Sequence, residues 1–271
     1  MKTIIEKKYF LFTFVLVLLV ASIIPVFISR TVSAKAKVSS ELIKKGTLTV
    51  GLEGTYAPYS YRKNNKLTGF EVDLARDIAK KSNLKVKFIP TKWDSLIAGL
   101  GSKKFDVVLN DITITSQRKK QFLFSIPYIY SRSVLITRSN DKKIKSISDI
   151  KGKTFAEATG TNNETTAKKF GAKIVPSGEF DTSLSLIREK RVEGTINARE
   201  AWFAYKKQKT TNGLKYQVIP NKKVAAAKIA VLINKSSPQL QKQINKALKE
   251  IKKNGTLTKL SKKYFGSDIT K

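Results

Sequence analysis

The sequence predicts an α/β fold in two similar lobes, and three observations carry that prediction. Short apolar runs alternate with helical stripes in the order β-α-β-α-β over residues 48–109. The same alternation restarts after Ser131. A chain of 271 residues is also long enough to give two modest lobes a core each. Strand–helix–strand order places parallel strands in a sheet covered by helices.

The elements follow in order. Leu48-Thr-Val-Gly-Leu52 reads as a buried strand. Phe70, Leu74, Ala75, Ile78 and Ala79 form a helical stripe. Val86–Ile89 is a strand closed by Pro90, Trp93–Leu100 a second helix and Asp106–Leu109 a third strand. In the second half, Val134–Ile136 and a short run near Phe155 read as strands. A helix from Asn163 to about Phe170 follows, then strand Lys173–Val175, helix Thr182–Lys190 and strand Gly194–Asn197. Helix Arg199–Lys207 precedes strands near Tyr216–Ile219 and Ala227–Ile233. Ser237-Pro238 supplies an N-cap and an N1 proline for a helix with Leu240, Ile244, Leu248 and Ile251 on one face. Asn254-Gly255 ends it, and a last helix runs to about Tyr264.

Composition narrows the chemistry. The chain has no His and no Cys. That excludes Ser-His-Asp and Cys-His triads, His- or Cys-ligated zinc, disulfides, iron–sulfur clusters and a lipid-attachment cysteine. No catalytic residue, metal or cofactor is expected. The formal net charge is +33, from 53 Lys and Arg against 20 Asp and Glu, and only nine of the basic residues are Arg. The Lys residues are scattered, without an arginine-rich block. They read as a solvated coat attracted to polyanions such as an anionic cell envelope, not as a nucleic-acid footprint.

The N-terminus carries Lys2, Lys7 and Lys8, an apolar run Phe10–Ile28 and small residues at Val32-Ser33-Ala34 and Ala34-Lys35-Ala36. This is the pattern of an export signal over residues 1–36. The run of 19 residues also approaches a membrane span, so an uncleaved anchor is the alternative. Either way the folded part is expected outside the cytoplasm, at a cell surface or in a periplasm. Removing residues 1–34 takes away Lys2, Lys7, Lys8, Arg30 and Glu6 and leaves a net of +30.

Ligands of α/β sheets sit at the carboxyl ends of strands. That points to the Leu52–Tyr59 turn and the Asn110–Arg118 loop. Thr113, Thr115, Ser116 and Gln117 offer hydroxyls, an amide and backbone N–H groups at a helix start, and Arg118 has a planar fork suited to a carboxylate. Arg118 reads equally as a surface residue of a basic loop. Gly160, Thr161, Asn162 and Asn163 are a similar polar turn, or a plain helix cap. Tyr56, Tyr59, Tyr61 and Trp93 either wall a pocket or fill a core.

Seven segments together carry a resemblance. They are Leu48-Thr-Val-Gly-Leu-Glu-Gly-Thr-Tyr-Ala-Pro-Tyr59, Gly69-Phe-Glu-Val-Asp-Leu-Ala75, Trp93-Asp-Ser-Leu-Ile97, Phe105-Asp-Val-Val108, Asp111-Ile-Thr-Ile-Thr115 with Arg118, Phe124-Ser-Ile-Pro-Tyr128, and Asn254-Gly-Thr-Leu257 with Lys263-Tyr-Phe-Gly266. In this order they resemble the family-3 solute-binding proteins of amino-acid ABC importers. The Trp93 segment, Thr195-Ile-Asn197 and Tyr205-Lys-Lys-Gln208 are most similar to the cystine-binding branch.

The resemblance implies a periplasmic-binding-protein-like (type II) clamshell with two hinge crossovers. Residues 41–131 plus 228–271 would form lobe one, and 132–227 lobe two. A monomer would bind one amino acid and deliver it to a membrane permease. Arg118 would grip the α-carboxylate with Thr113 and the Thr161–Asn162 loop. Tyr56 and Trp93 would flank the side chain, Asn197 would line the site, and Glu53 would lie near the amino group or side chain. One position departs. The family's ammonium-binding Asp after the Gly194–Asn197 strand is Ala198 here. Asp111 is the first candidate to replace it, with Glu53 and Glu200 next. Competing readings are a secreted basic adhesin, a sensor on the same fold, and a dehydratase using Glu53 and Asp111.

Overall fold

The computed structural model describes residues 38–271. The export signal or anchor read over residues 1–36 falls outside them. Among the described residues no helix is long and apolar enough to cross a membrane.

The first sheet is built on β1 (Thr47–Leu52), every residue of which is buried. A hairpin follows, β2 (Tyr61–Lys63) and β3 (Lys66–Thr68). It went unread in the sequence because Tyr-Arg-Lys-Asn-Asn-Lys-Leu-Thr lacks apolar alternation. Asn64 and Asn65 both take positive φ, as tight hairpin turns require. Helix α1 (Phe70–Lys81) carries Glu71 and Asp73 in its first turn and Lys80 and Lys81 in its last, matching the helix dipole. Strand β4 (Lys85–Pro90), helix α2 (Trp93–Gly101), strand β5 (Val107–Val108), helix α3 (Ser116–Gln121) and strand β6 (Phe122–Phe124) continue the lobe. Thr115 caps α3, its hydroxyl accepting from Arg118 N at 3.2 Å.

The chain crosses through β7 (Ile129–Ser131) into β8 (Ser133–Arg138). It then forms β9 (Thr154–Glu157), α4 (Asn162–Lys169), β10 (Lys173–Pro176), α5 (Phe180–Arg188), β11 (Gly194–Ala198), α6 (Arg199–Gln208) and β12 (Leu214–Val218). It returns through β13 (Ala227–Ile229) to β14 (Leu232–Asn234) and ends in α7 (Pro238–Lys253) and α8 (Thr256–Phe265).

The sheet orders are β4-β1-β5-β14-β6 and β10-β9-β11-β8-β12. In the first, β1 is parallel to β4 and β5, but β14 is antiparallel to β5 and β6. In the second, β9 is parallel to β10 and β11, and β8 is antiparallel to β11 and β12. Both sheets are therefore mixed, which corrects the parallel sheet expected from alternation. The reason is the crossings. Strands β8 and β14 each follow a crossing segment directly, with no covering helix before them, and so enter their sheets against the parallel strands. The crossings themselves pair, β7 against β13, with Ile229 opposite Ile129 and Ala227 opposite Ser131. The expected single strand Ala227–Ile233 is thus two, because Ala230 and Val231 are buried and apolar too and hide the break.

Each sheet has a core on both faces. Leu74 and Ile78 of α1 meet Ile244 and Leu248 of α7 and Leu257 of α8 on one side, while Leu96, Leu100 and Phe105 fill the other. In the second lobe Leu184, Ile187 and Trp202 fill one side, and Ile150, Phe155 and Ala167 the other. One cap differs from expectation. Ser237 precedes α7 but makes no side-chain cap bond. Glu41 takes that role from afar, accepting from Gln239 N at 3.1 Å and Leu240 N at 2.7 Å.

Candidate functional site

The carboxyl ends of β1 and β5 face the second lobe across a cleft. All nine candidate residues line it: Glu53, Tyr56, Trp93, Asp111, Thr113, Arg118, Thr161, Asn162 and Asn197. Ala198 lines it as well. Tyr59 does not; it is fully buried in the core beneath, its ring stacked on Tyr56 at 5.2 Å. Tyr61 lies in the β2–β3 hairpin, away from the cleft. Ser131, Ser133, Glu157, Phe180 and Thr195 also line the cleft and escaped the sequence reading. Ser131 and Ser133 flank the crossing, and the others sit on elements chosen by apolar pattern, so nothing in their periodicity marks them.

Hydrogen bonds of Arg118, Trp93 and Tyr56 join the lobes across the cleft. Arg118 Nη1 donates to Thr113 O at 3.0 Å in its own loop, and Nη2 to Gly160 O at 3.1 Å across the cleft. Its guanidinium lies over the Trp93 ring at 5.7 Å. Trp93 Nε1 donates to Thr159 O at 2.9 Å, and Tyr56 Oη to Asn197 Oδ1 at 2.5 Å. The turn they reach is pre-shaped. The Thr161 hydroxyl caps α4 by accepting from Glu164 N at 3.0 Å, while Glu164 Oε2 accepts from Gly160 N at 2.7 Å.

The floor of the cleft is acidic. Glu53 N donates to Asn110 Oδ1 at 2.8 Å and Asn110 Nδ2 returns a bond to Glu53 Oε2 at 2.6 Å. Burial raises the Glu53 carboxyl to about 7, the Asn110 bond opposing and Glu179 adding to the rise. Asp111 sits at φ 51°, and its Oδ1 is buried with no hydrogen-bond partner. Burial first, then the Glu71 and Glu200 carboxylates, push it well above the usual range, with the Tyr59 hydroxyl and Arg118 opposing. Beneath it, fully buried Glu71 accepts from Asp111 N at 2.8 and 3.1 Å and from the Tyr128 hydroxyl. Burial raises Glu71 to about 7. Glu157 accepts from Ile196 N at 2.7 Å, and burial raises it well above its ordinary value. Against these acids stands one guanidinium, Arg118, lowered by burial and supported by Asp111. The arrangement sets a planar guanidinium fork, suited to an anion, beside a proton-rich acidic floor.

The raised carboxyls set a sign for pH. A folded-state value of about 7 for Glu71, above 4.5 in the unfolded chain, means the native state holds the extra proton. The stability that Glu71 contributes is therefore full below about pH 4.5 and is lost as pH rises through 7. Glu53 adds in the same direction. Thermal unfolding across pH 5–8 is expected to show a falling melting temperature. Glu71→Gln, neutral throughout, flattens that fall. An unchanged slope in the variant would remove Glu71 as its source.

The fold and cleft define a two-lobed α/β clamshell, its lobes joined by the paired crossings and its cleft lined from both. The family model of bacterial extracellular solute-binding proteins, family 3, matches residues 48–267. The chain belongs to that family. It is 41% identical over 230 residues to the L-cystine-binding protein TcyA of Bacillus subtilis, covering 84% of each chain. Among solved structures, an ancestral arginine-binding protein bound to arginine aligns with a TM-score of 0.74 at 35% identity, covering 82% of this chain and 99% of that one. The L-cystine solute receptor of Neisseria gonorrhoeae, unliganded and open, aligns at 0.58 with 36% identity, covering 88% and 98%.

Proposed function

We propose that this chain is the extracytoplasmic substrate-binding component of an amino-acid ABC importer, taking cystine or another polar amino acid into the cleft and passing it to a membrane permease. The observation that carries this reading is Arg118, a half-buried guanidinium held by Thr113 O and Gly160 O at the mouth of a polar cleft. Its planar fork suits a carboxylate, and the N-terminus of α4 faces it. Tyr56 and Trp93 supply apolar walls for a side chain, and the names of the Bacillus and Neisseria relatives favour cystine. Lobe one is residues 41–131 with 228–271, and lobe two is 132–227. The protein works as a monomer and performs no reaction. Calorimetric titration with L-cystine and the standard amino acids tests the reading: at least one saturates the protein and is recovered unchanged. Binding of none, or recovery of a converted product, overturns it.

The exported protein is held at an anionic envelope by its Lys coat, not by nucleic acid. Adsorption to vesicles rich in anionic lipid is expected and should fall steeply between 50 and about 500 mM salt, while binding in the cleft changes little. Salt-independent adsorption would refute the electrostatic account.

A further inference from the structure

An α-amino acid carries a carboxylate and an ammonium on one carbon. If Arg118 takes the first, an anion must stand close by for the second, because a buried ammonium without a partner is costly. Four carboxylates line the cleft: Glu53, Asp111, Glu157 and Glu179. Glu157 is occupied by Ile196 N at 2.7 Å and by Thr195 Oγ1. Glu53 is tied to Asn110 through both its backbone and its carboxylate. Glu179 is exposed on the loop before α5. Glu200, which does not line the cleft, is satisfied by Ser131 Oγ at 2.7 Å and Arg199 at 3.1 Å. Asp111 differs from all of them. Its Oδ1 is buried and makes no well-formed hydrogen bond, only the Tyr59 hydroxyl lying near enough to ease its charge, and it leaves the same strand end as Arg118.

We propose that Asp111 holds the α-ammonium of the bound amino acid, so that one loop, Asp111–Arg118, grips both charges of the zwitterion. This rests on the amino-acid reading of the cleft. The backbone supports it. Asp111 takes left-handed φ, and Glu71 pins its N–H from below, which fixes where the carboxylate stands. At the end of β11 the opposite wall presents Ala198, a methyl group lining the cleft, and no carboxylate. A bound ammonium also answers the crowding of Asp111 by Glu71 and Glu200.

Asp111→Asn is a clean test, because Asn tolerates left-handed φ and is nearly isosteric. The probes are L-cystine, L-glutamine and L-arginine, each beside its analogue lacking the α-amino group. The parent protein is expected to prefer the amino form by about 100-fold or more, the loss typical of one partner of a buried charge pair. Asp111→Asn removes most of that preference while its melting temperature holds or rises. Adding Ala198→Asp to Asp111→Asn restores at least tenfold of it from the facing wall. If the parent binds the amino acids and Asp111→Asn keeps the preference, Asp111 is not the ammonium partner. If the parent binds none of the three, the reading of the cleft falls first and takes this assignment with it.

Discussion

Arg118→Ala is expected to weaken amino-acid binding by about a thousandfold, the largest effect of any single cleft substitution. The magnitude follows from burial. A bidentate guanidinium–carboxylate pair is strong where water is displaced, and removing one partner strands the other. Here the loss is compounded. The same side chain bridges to Gly160 O across the cleft and lies over Trp93, so its removal also loosens closure. Asp111 would also lose its cation. Arg118→Lys keeps the charge but not the fork, and is expected to recover only a small part. Calorimetric titration against L-cystine and the other amino acids that bind the parent measures both variants. An Arg118→Ala protein binding within about threefold of the parent would show that the carboxylate is held elsewhere, by the α4 turn alone. Because Arg118 would meet the carboxylate inside the cleft, the parent's affinity should depend on salt far less than surface adsorption does, which separates this loss from any general change in surface charge.

How far the sequence reached can be judged from particular residues. Strand ends and helix starts were legible because apolar period and caps mark them, and they brought the Leu52–Tyr59 turn and the Asn110–Arg118 loop to one cleft. The reach stopped where sequence order and spatial order part. Strands β8 and β14 look like any buried strand in sequence, yet they run against their neighbours because each follows a crossing. Glu41 caps a helix that begins almost 200 residues later, a pairing no local pattern can encode. Glu71 reads as a first-turn helix acid. Only the fold shows it buried under the cleft, orienting Asp111 through its N–H. Tyr56 and Tyr59, three residues apart, were indistinguishable in sequence, and the fold sends one to the cleft and the other to the core.

The supporting layer under the cleft leads to the second large effect, on stability. Gly69→Ala is expected to lower the melting temperature by about 10 °C or more. Gly69 precedes α1 at φ 133°, a conformation that side chains rarely adopt. A Cβ there would stand 2.2 Å from Tyr59 O, 2.6 Å from Tyr59 C and 2.9 Å from Ser60 Cα. These are backbone atoms, and no rotamer change moves them aside. The close approach is enforced on both sides, since Phe70 N donates to Pro58 O at 2.9 Å and Glu71 N to Tyr59 O at 3.0 Å. Relieving the clash means breaking those bonds and lifting α1 from the 56–60 turn. Strain and overpacking together cost about 3–5 kcal/mol. At about 2–4 °C per kcal/mol for a domain of this size, that gives the expected fall. Gly46→Ala is the control. Gly46 also has positive φ, 74°, but a Cβ there meets nothing within 4 Å, so only about 1 kcal/mol of backbone strain is expected. Equal melting temperatures for the two variants would mean the turn shifts freely, and the clash would not be what fixes it. The effect should also reach the ligand. Glu71 lies two residues on and holds the Asp111 N–H, so a displaced α1 moves the floor of the cleft. Gly69→Ala should therefore weaken amino-acid binding even below its own melting temperature, whereas Gly46→Ala should leave binding intact.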